Sequence, residues 1–88
     1  MMSVKFSPNA LDDFWYLYDK DKKAFEKLRI LIKDTQRNGT GGIGKPECLT
    51  GDLKGKWSKR IDDKNRVVFI IEKEGVIIYS CRGHYDDK

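Results

Sequence analysis

The hydrophobic pattern along the chain changes period twice. Val4 and Phe6 flank Lys5 in the alternation of a short strand. Ser7-Pro8 then reads as an N-cap followed by proline at the first helical position, where its missing N–H costs nothing. Leu11, Phe14, Trp15 and Tyr18 recur at helical spacing, and this aromatic stripe is expected in the core, with an edge left for a partner chain. Asp12 and Asp13 fall in the first turns, where the helix dipole favours negative charge. Asp21 caps a second helix with Phe25, Leu28, Leu31 and Ile32 as its buried stripe, and Asn38-Gly39 stops it. Two helices joined only by Asp19-Lys20-Asp21 make a helical hairpin.

Beyond the glycines the period returns to two. Trp57, Lys59 and Ile61 alternate with Ser58 and Arg60, and Trp57 is expected to support the core. Asp62-Asp63-Lys64-Asn65 is turn material before the apolar run Val67–Ile71. Lys73-Glu74-Gly75 then turns the chain into Val76–Cys81. These elements predict an α+β fold: an N-terminal strand, a helical hairpin, a long loop, then a three-stranded antiparallel β-meander. Neither helix buries its stripe alone, so both must pack on the sheet.

Composition narrows the class. Eighty-eight residues make one domain, 1–88, with 39% apolar and 36% charged positions. The net charge of +4 favours an anionic partner. The surplus is concentrated: residues 37–66 carry eight basic side chains against four acidic ones. Six of the eight glycines, Gly39 to Gly55, share this third, as a flexible segment approaching a phosphate backbone would or as a solvated loop would. No apolar run reaches membrane-spanning length, and the first residues lack the apolar core of a signal peptide, so a cytoplasmic protein with no membrane contact is expected. Cys48 and Cys81 lack metal-site spacing, so they are expected to be reduced and structural, with no metal and no cofactor.

Several polar residues interrupt the sheet pattern. If Lys73-Glu74-Gly75 is a three-residue loop, residue 66 pairs with 82, and Arg66, Arg82 and His84 share one face. A two-residue turn would shift the register and split them. Arg60 joins from the neighbouring strand. These side chains either form a basic site or simply finish strand ends at the solvent. Glu47, the only glutamate between Glu26 and Glu72, lies in the segment Gly44-Lys45-Pro46-Glu47. A carboxylate, arginines and a histidine suffice for metal-free RNA cleavage. A base takes the ribose 2′-hydroxyl proton, cations hold the phosphate, and an acid protonates the leaving 5′ oxygen. Lys45, Lys54, Lys56 and Lys59 are individually ordinary surface lysines, and together they suit contact with an RNA phosphate backbone.

Gly44-Lys45-Pro46-Glu47, Trp57-Ser58-Lys59-Arg60-Ile61, Asn65-Arg66-Val67-Val68 and Cys81-Arg82-Gly83-His84-Tyr85 resemble, in order and spacing, the YoeB toxins of the RelE superfamily. The likeness includes the helical hairpin and spans roughly residues 4–85. It implies a RelE-like fold and a bacterial type II toxin: a ribosome-dependent mRNA interferase cutting mRNA in the A site. It implies Glu47 as general base, Arg66 as phosphate-binding arginine, Arg60 as a second cation, His84 as general acid and Tyr85 as the aromatic beside it. It also implies a YefM-type antitoxin, a homodimer through the helical layer, and operator DNA reached only through the antitoxin complex. Thr50 stands where a lysine is expected, and Asp86-Asp87-Lys88 extend past Tyr85. Two other classes are a non-catalytic ribosome- or RNA-binding module and a superfamily toxin aimed at a protein such as gyrase.

Overall fold

The computed structural model describes residues 1–83; His84 and Tyr85 lie outside the described residues. Strand β1 (Ser3–Phe6) leads into helices α1 (Pro8–Lys20) and α2 (Lys22–Asn38). The chain continues through β2 (Glu47–Cys48), a 3₁₀ turn (Gly51–Leu53), β3 (Trp57–Arg60), β4 (Arg66–Glu72) and β5 (Gly75–Ser80). The sheet order is β1-β5-β4-β3-β2, with β1 parallel to β5 and the other pairings antiparallel. The helical hairpin is thus the crossover from the parallel edge strand, and the expected α+β arrangement is present. Among the described residues, no helix is long and apolar enough to cross a membrane.

The caps are those the sequence predicts. Ser7 Oγ accepts from the Ala10 N–H at 3.0 Å and donates to the Tyr79 carbonyl at 2.9 Å, tying the start of α1 to β5. Asp21 closes both helices: its N–H donates to the Leu17 carbonyl, and its carboxylate accepts from the Ala24 N–H. Gly39, with φ of 60°, ends α2 by donating to the Thr35 carbonyl.

The buried stripe of α1 differs from the expected one. Ala10 and Leu17 are buried and Phe14 packs against the core, whereas Leu11, Trp15 and Tyr18 are exposed, Trp15 by 52%. Small Ala10 allows α1 to lie close to the sheet, which turns the larger aromatic residues outward. Phe14 remains the centre of the aromatic cluster, edge-on to Phe6 at 5.3 Å and to Phe25 at 5.0 Å. Asp12 and Asp13 fall after the first turn. Asp13 instead accepts the Cys81 N–H at 3.1 Å. In α2, Ala24, Phe25, Leu28, Leu31 and Thr35 face the sheet.

The meander also differs in two respects. Glu47–Cys48 adds a short fourth antiparallel strand on β3, where the sequence predicts only loop. The β4–β5 turn has two residues, since Glu72 pairs with Gly75. A register shift between Val68 and Phe69 then places Val68 opposite Ser80, restoring the register of a three-residue loop before the strand ends. The three-residue turn is not formed, and an irregularity within the ladder compensates for its absence.

Candidate active site

Strand alternation separates the functional side chains from the core. Trp57 opposes Phe69 and Lys59 opposes Val67, and these residues face the helices. Ser58, Arg60, Arg66 and Val68 therefore project from the opposite face. The Glu47–Ser58, Ser58–Val68 and Val68–Ser80 pairs form one row across four strands. Arg60 and Arg66 are directly opposed one step along, roughly 7 Å from that row. The structure thus brings Glu47, Arg60 and Arg66 to one face, with Glu47 exposed and both arginines half-buried.

Each member has a local support. Asp62 Oδ1 accepts from the N–H groups of Lys64 and Asn65, both at 2.8 Å, and closes the β3–β4 turn. These bonds outweigh burial and hold the Asp62 carboxyl below its ordinary range. Arg60 is ion-paired with exposed Asp63 in the same turn. Asn65 donates to Asp62 and accepts the Gly83 N–H at 2.8 Å, while the Arg66 N–H donates to the Gly83 carbonyl at 3.0 Å. Gly83 is therefore fixed on both sides at the residue preceding His84. Sequence alone does not reveal this role for Asn65, which reads there only as turn material.

Two of the expected RNA contacts are placed elsewhere. Lys59 is 0% exposed. Its ammonium donates to Asp34 Oδ2 at 3.2 Å, Thr35 Oγ1 at 2.9 Å and the Gly39 carbonyl at 3.1 Å. It is an internal tie, because the alternation that exposes Arg60 turns Lys59 inward. Arg82 leaves the Arg66 face: its guanidinium lies 3.4 Å from the Tyr16 ring centroid on α1, where Asp13 adds an opposite charge. Lys45 and Lys54 are exposed, and Lys56 lies over the Tyr79 ring at 4.7 Å. A notch of about 210 Å³ lined by Lys27, Gly44, Lys45, Arg60 and Ile61 adds Lys27 to the basic rim. Lys27 lies on α2, outside the basic segment 37–66 of the sequence.

The glycine loop is bound to the fold. Asp34 accepts from the Ile43 N–H at 3.1 Å and from the Asn38 amide at 2.7 Å. At Gly42, with φ of 82°, a Cβ would lie 2.1 Å from Asp34 Oδ2. Gly42 and Gly44 thus serve close contact with α2, whereas Gly51 and Gly55 face open space. Cys81 is buried as expected, whereas Cys48 is exposed. The described residues bring no three His, Cys, Asp or Glu side chains together as a metal site.

Comparison with known proteins identifies the family and the fold. Residues 6–85 match the family model of the YoeB-like toxin of bacterial type II toxin-antitoxin system. Toxin YoeB of Mycobacterium bovis is 42% identical over 85 residues, covering 97% of this chain and 100% of that protein. The toxin in the YoeB-YefM complex from Staphylococcus aureus superposes with a TM-score of 0.86 at 38% identity, covering 97% of this chain and 99% of that one. The YoeB dimer from the same organism gives 0.87 at 40% identity, covering 96% and 98%. With the family model spanning nearly the whole chain, and the same strand and helix arrangement in the superposed structures, the chain belongs to the YoeB-like toxins of the bacterial type II toxin–antitoxin systems.

Proposed function

We propose that this toxin is a ribosome-dependent endoribonuclease that cuts mRNA in the A site, inhibiting translation in the bacterial cytoplasm. The observation that carries this reading is the shared face of Glu47, Arg60 and Arg66, held by three adjacent strands. Glu47 takes the proton from a ribose 2′-hydroxyl, whose oxygen attacks the adjacent phosphorus. Arg66 and Arg60 neutralise charge growing on the phosphate oxygens. His84 donates a proton to the departing 5′ oxygen, leaving a 2′,3′-cyclic phosphate on one fragment and a 5′-hydroxyl on the other. Tyr85 stacks on a base or orients the phosphate. The roles assigned to His84 and Tyr85 rest on the family likeness, and Asn65 supports them by anchoring Gly83, the residue before His84.

Lys45, Lys54, Lys56 and Lys27 supply contacts to ribosomal RNA. A YefM-type antitoxin covers the Arg60 and Arg66 face with an acidic segment that folds on binding, and operator DNA is reached only through that complex. A homodimer through the helical layer uses exposed Leu11, Trp15 and Tyr18. One domain, 1–88, carries all of this, with the reaction needing no bound cofactor.

Primer extension on translating ribosomes tests the reading. Wild-type protein should give cuts at A-site codons, and Glu47→Ala and Arg66→Ala should each lower cutting about 10²-fold or more while staying folded. Stalling without cuts would favour a non-catalytic binder, and no ribosome effect a protein target. Near-wild-type cutting by folded Glu47→Ala would remove Glu47 as the base.

A further inference from the structure

Glu47 stands on a weak element. Among the described residues, strand β2 has two residues and hydrogen-bonds on one side only, to β3. Residues 39–46 separate it from α2, and the ties that hold this loop converge on a few atoms. Lys59 holds the Gly39 carbonyl at the loop's start. Asp34, bridged to Lys59, holds the Ile43 N–H in its middle. The Arg60 N–H, next in the chain to Lys59, holds the Gly44 carbonyl at 2.7 Å. Glu47 then enters the ladder opposite Ser58, the residue on the other side of Lys59.

The glycines record the same closeness. A Cβ on Gly42 would strike the Asp34 carboxylate, and one on Gly44 would lie 2.7 Å from Leu31 Cδ2 and 3.0 Å from Lys59 Cβ. The loop is therefore shaped around one lysine and one carboxylate. Burying such a pair is weak evidence for added stability, because apolar replacements are often as stable. Its contacts indicate a different use: apart from Thr35 and Asn38 on α2, the pair's hydrogen bonds go to loop backbone.

We propose that Lys59 and Asp34 are positioning residues that set Glu47 against the arginine pair, acting through loop 39–46 rather than on RNA. This rests on Glu47 being the proton acceptor. Lys59 cannot reach solvent, so it makes no contact with a nucleic acid backbone on this face. It transmits the position of α2 to the base, and removing it frees the loop at its start and takes away the partner that steadies the Asp34 carboxylate against Ile43. A small displacement of a reacting group is enough to lower a rate about 10²-fold.

Lys59→Met, Lys59→Arg and Asp34→Asn should be compared with wild type by amide hydrogen exchange and by single-turnover cleavage of mRNA on programmed ribosomes. Lys59→Met and Asp34→Asn should raise exchange at residues 43–48 about tenfold or more, with the β4–β5 amides unchanged. Maximal cleavage rate should fall about 10²-fold, while the half-saturating ribosome concentration stays within about threefold. Lys59→Arg keeps the charge and the donors and should recover most of the rate. In a Glu47→Gln background, Lys59→Met should cause no further loss, because the path through Glu47 is already removed. Unchanged loop exchange in both loss variants, or a full additional loss in the Glu47→Gln background, overturns the positioning role. If Lys59→Met does not fold, Asp34→Asn and Lys59→Arg carry the same comparison. Wild-type protein that fails to cut ribosome-bound mRNA would instead overturn the nuclease reading, and the exchange comparison would still decide whether the pair fixes the loop.

Discussion

Cys81 and Cys48 are the same chemical group in opposite settings. Cys81 is fully buried, and burial together with the nearby Asp13 carboxylate pushes its thiol up to about 12. Cys48 is exposed on the edge strand. Iodoacetamide at pH 8 should therefore label Cys48 in the folded protein and spare Cys81 until denaturant is added; mass spectrometry of tryptic peptides reads the result. The carboxylates differ just as sharply. For Asp34, burial favours the neutral form, but bonds from Asn38, Lys59 and Ile43 outweigh it and lower the folded-state value. The unfolded chain then binds the proton first, so Asp34 contributes stability above the ordinary carboxylate pKa and loses it as pH falls through the folded value. Asp62 acts in the same direction. Asp13 has the opposite sign: burial raises it, so its penalty at neutral pH disappears in acid. Urea titrations from pH 7 to pH 3 should show a shallower acid loss for Asp34→Asn and a steeper one for Asp13→Asn.

At the scale of elements, two glycines on either side of β2 differ in kind. Gly42 and Gly55 both have positive φ, 82° and 93°, but a Cβ on Gly55 would meet nothing within 4 Å. Gly55→Ala should cost only the backbone strain, about 1–2 kcal/mol. Gly42→Ala adds a collision with a carboxylate already committed to Lys59, so it must also displace a partly buried ion pair. It should cost more than Gly55→Ala by about 2 kcal/mol or more, measured by chemical denaturation. Equal costs would mean that Asp34 yields without loss. The sheet shows a related contrast between local and long-range control. A two-residue turn alone would have moved every far-end pairing by one residue. The irregularity at Val68 and Phe69 returns Val68 to Ser80, which keeps the end of β5 beside the arginines.

Across the whole molecule, the basic rim and the larger groove lie on different sides. The basic rim of Lys27, Lys45 and Arg60 borders the open sheet face, while a groove of about 540 Å³ on the helical side is lined by Phe6, Phe14, Ile30 and Ile32 together with Glu26, Arg29, Lys33 and Gln36. Ribosome binding through the basic side should weaken steeply between about 50 and 200 mM salt. Replacing Lys27 and Lys45 together by alanine should reduce the slope of log affinity against log salt by about one to two, read by sedimentation or filter binding. Lys59→Met should leave that slope unchanged, since its ammonium is bound inside the protein.

Local chemistry was legible in the residues themselves. Ser7-Pro8, Asp21 and Asn38-Gly39 mark helix ends because the capping atoms lie within a few residues of the groups they satisfy. The period of two after residue 56 marks the strands for the same reason. The strand pattern and the lone glutamate of the glycine segment singled out Arg60, Arg66 and Glu47 as candidates, and motif order identified the family that implies their roles. Long-range geometry was not legible. The pairing of Glu47 with Ser58 depends on where a ten-residue span closes, and the fate of Lys59 depends on α2 supplying Asp34 and Thr35 at the right height. Trp15 faces outward because Ala10 and Leu17 fit the sheet better, a choice helical spacing alone leaves open. Arg82 turns to Tyr16 because the two meet only after α1 has packed beside β5. Sequence determines which groups are available and how each short segment bends; tertiary packing decides which of them meet, because burial and register couple residues that the chain keeps far apart.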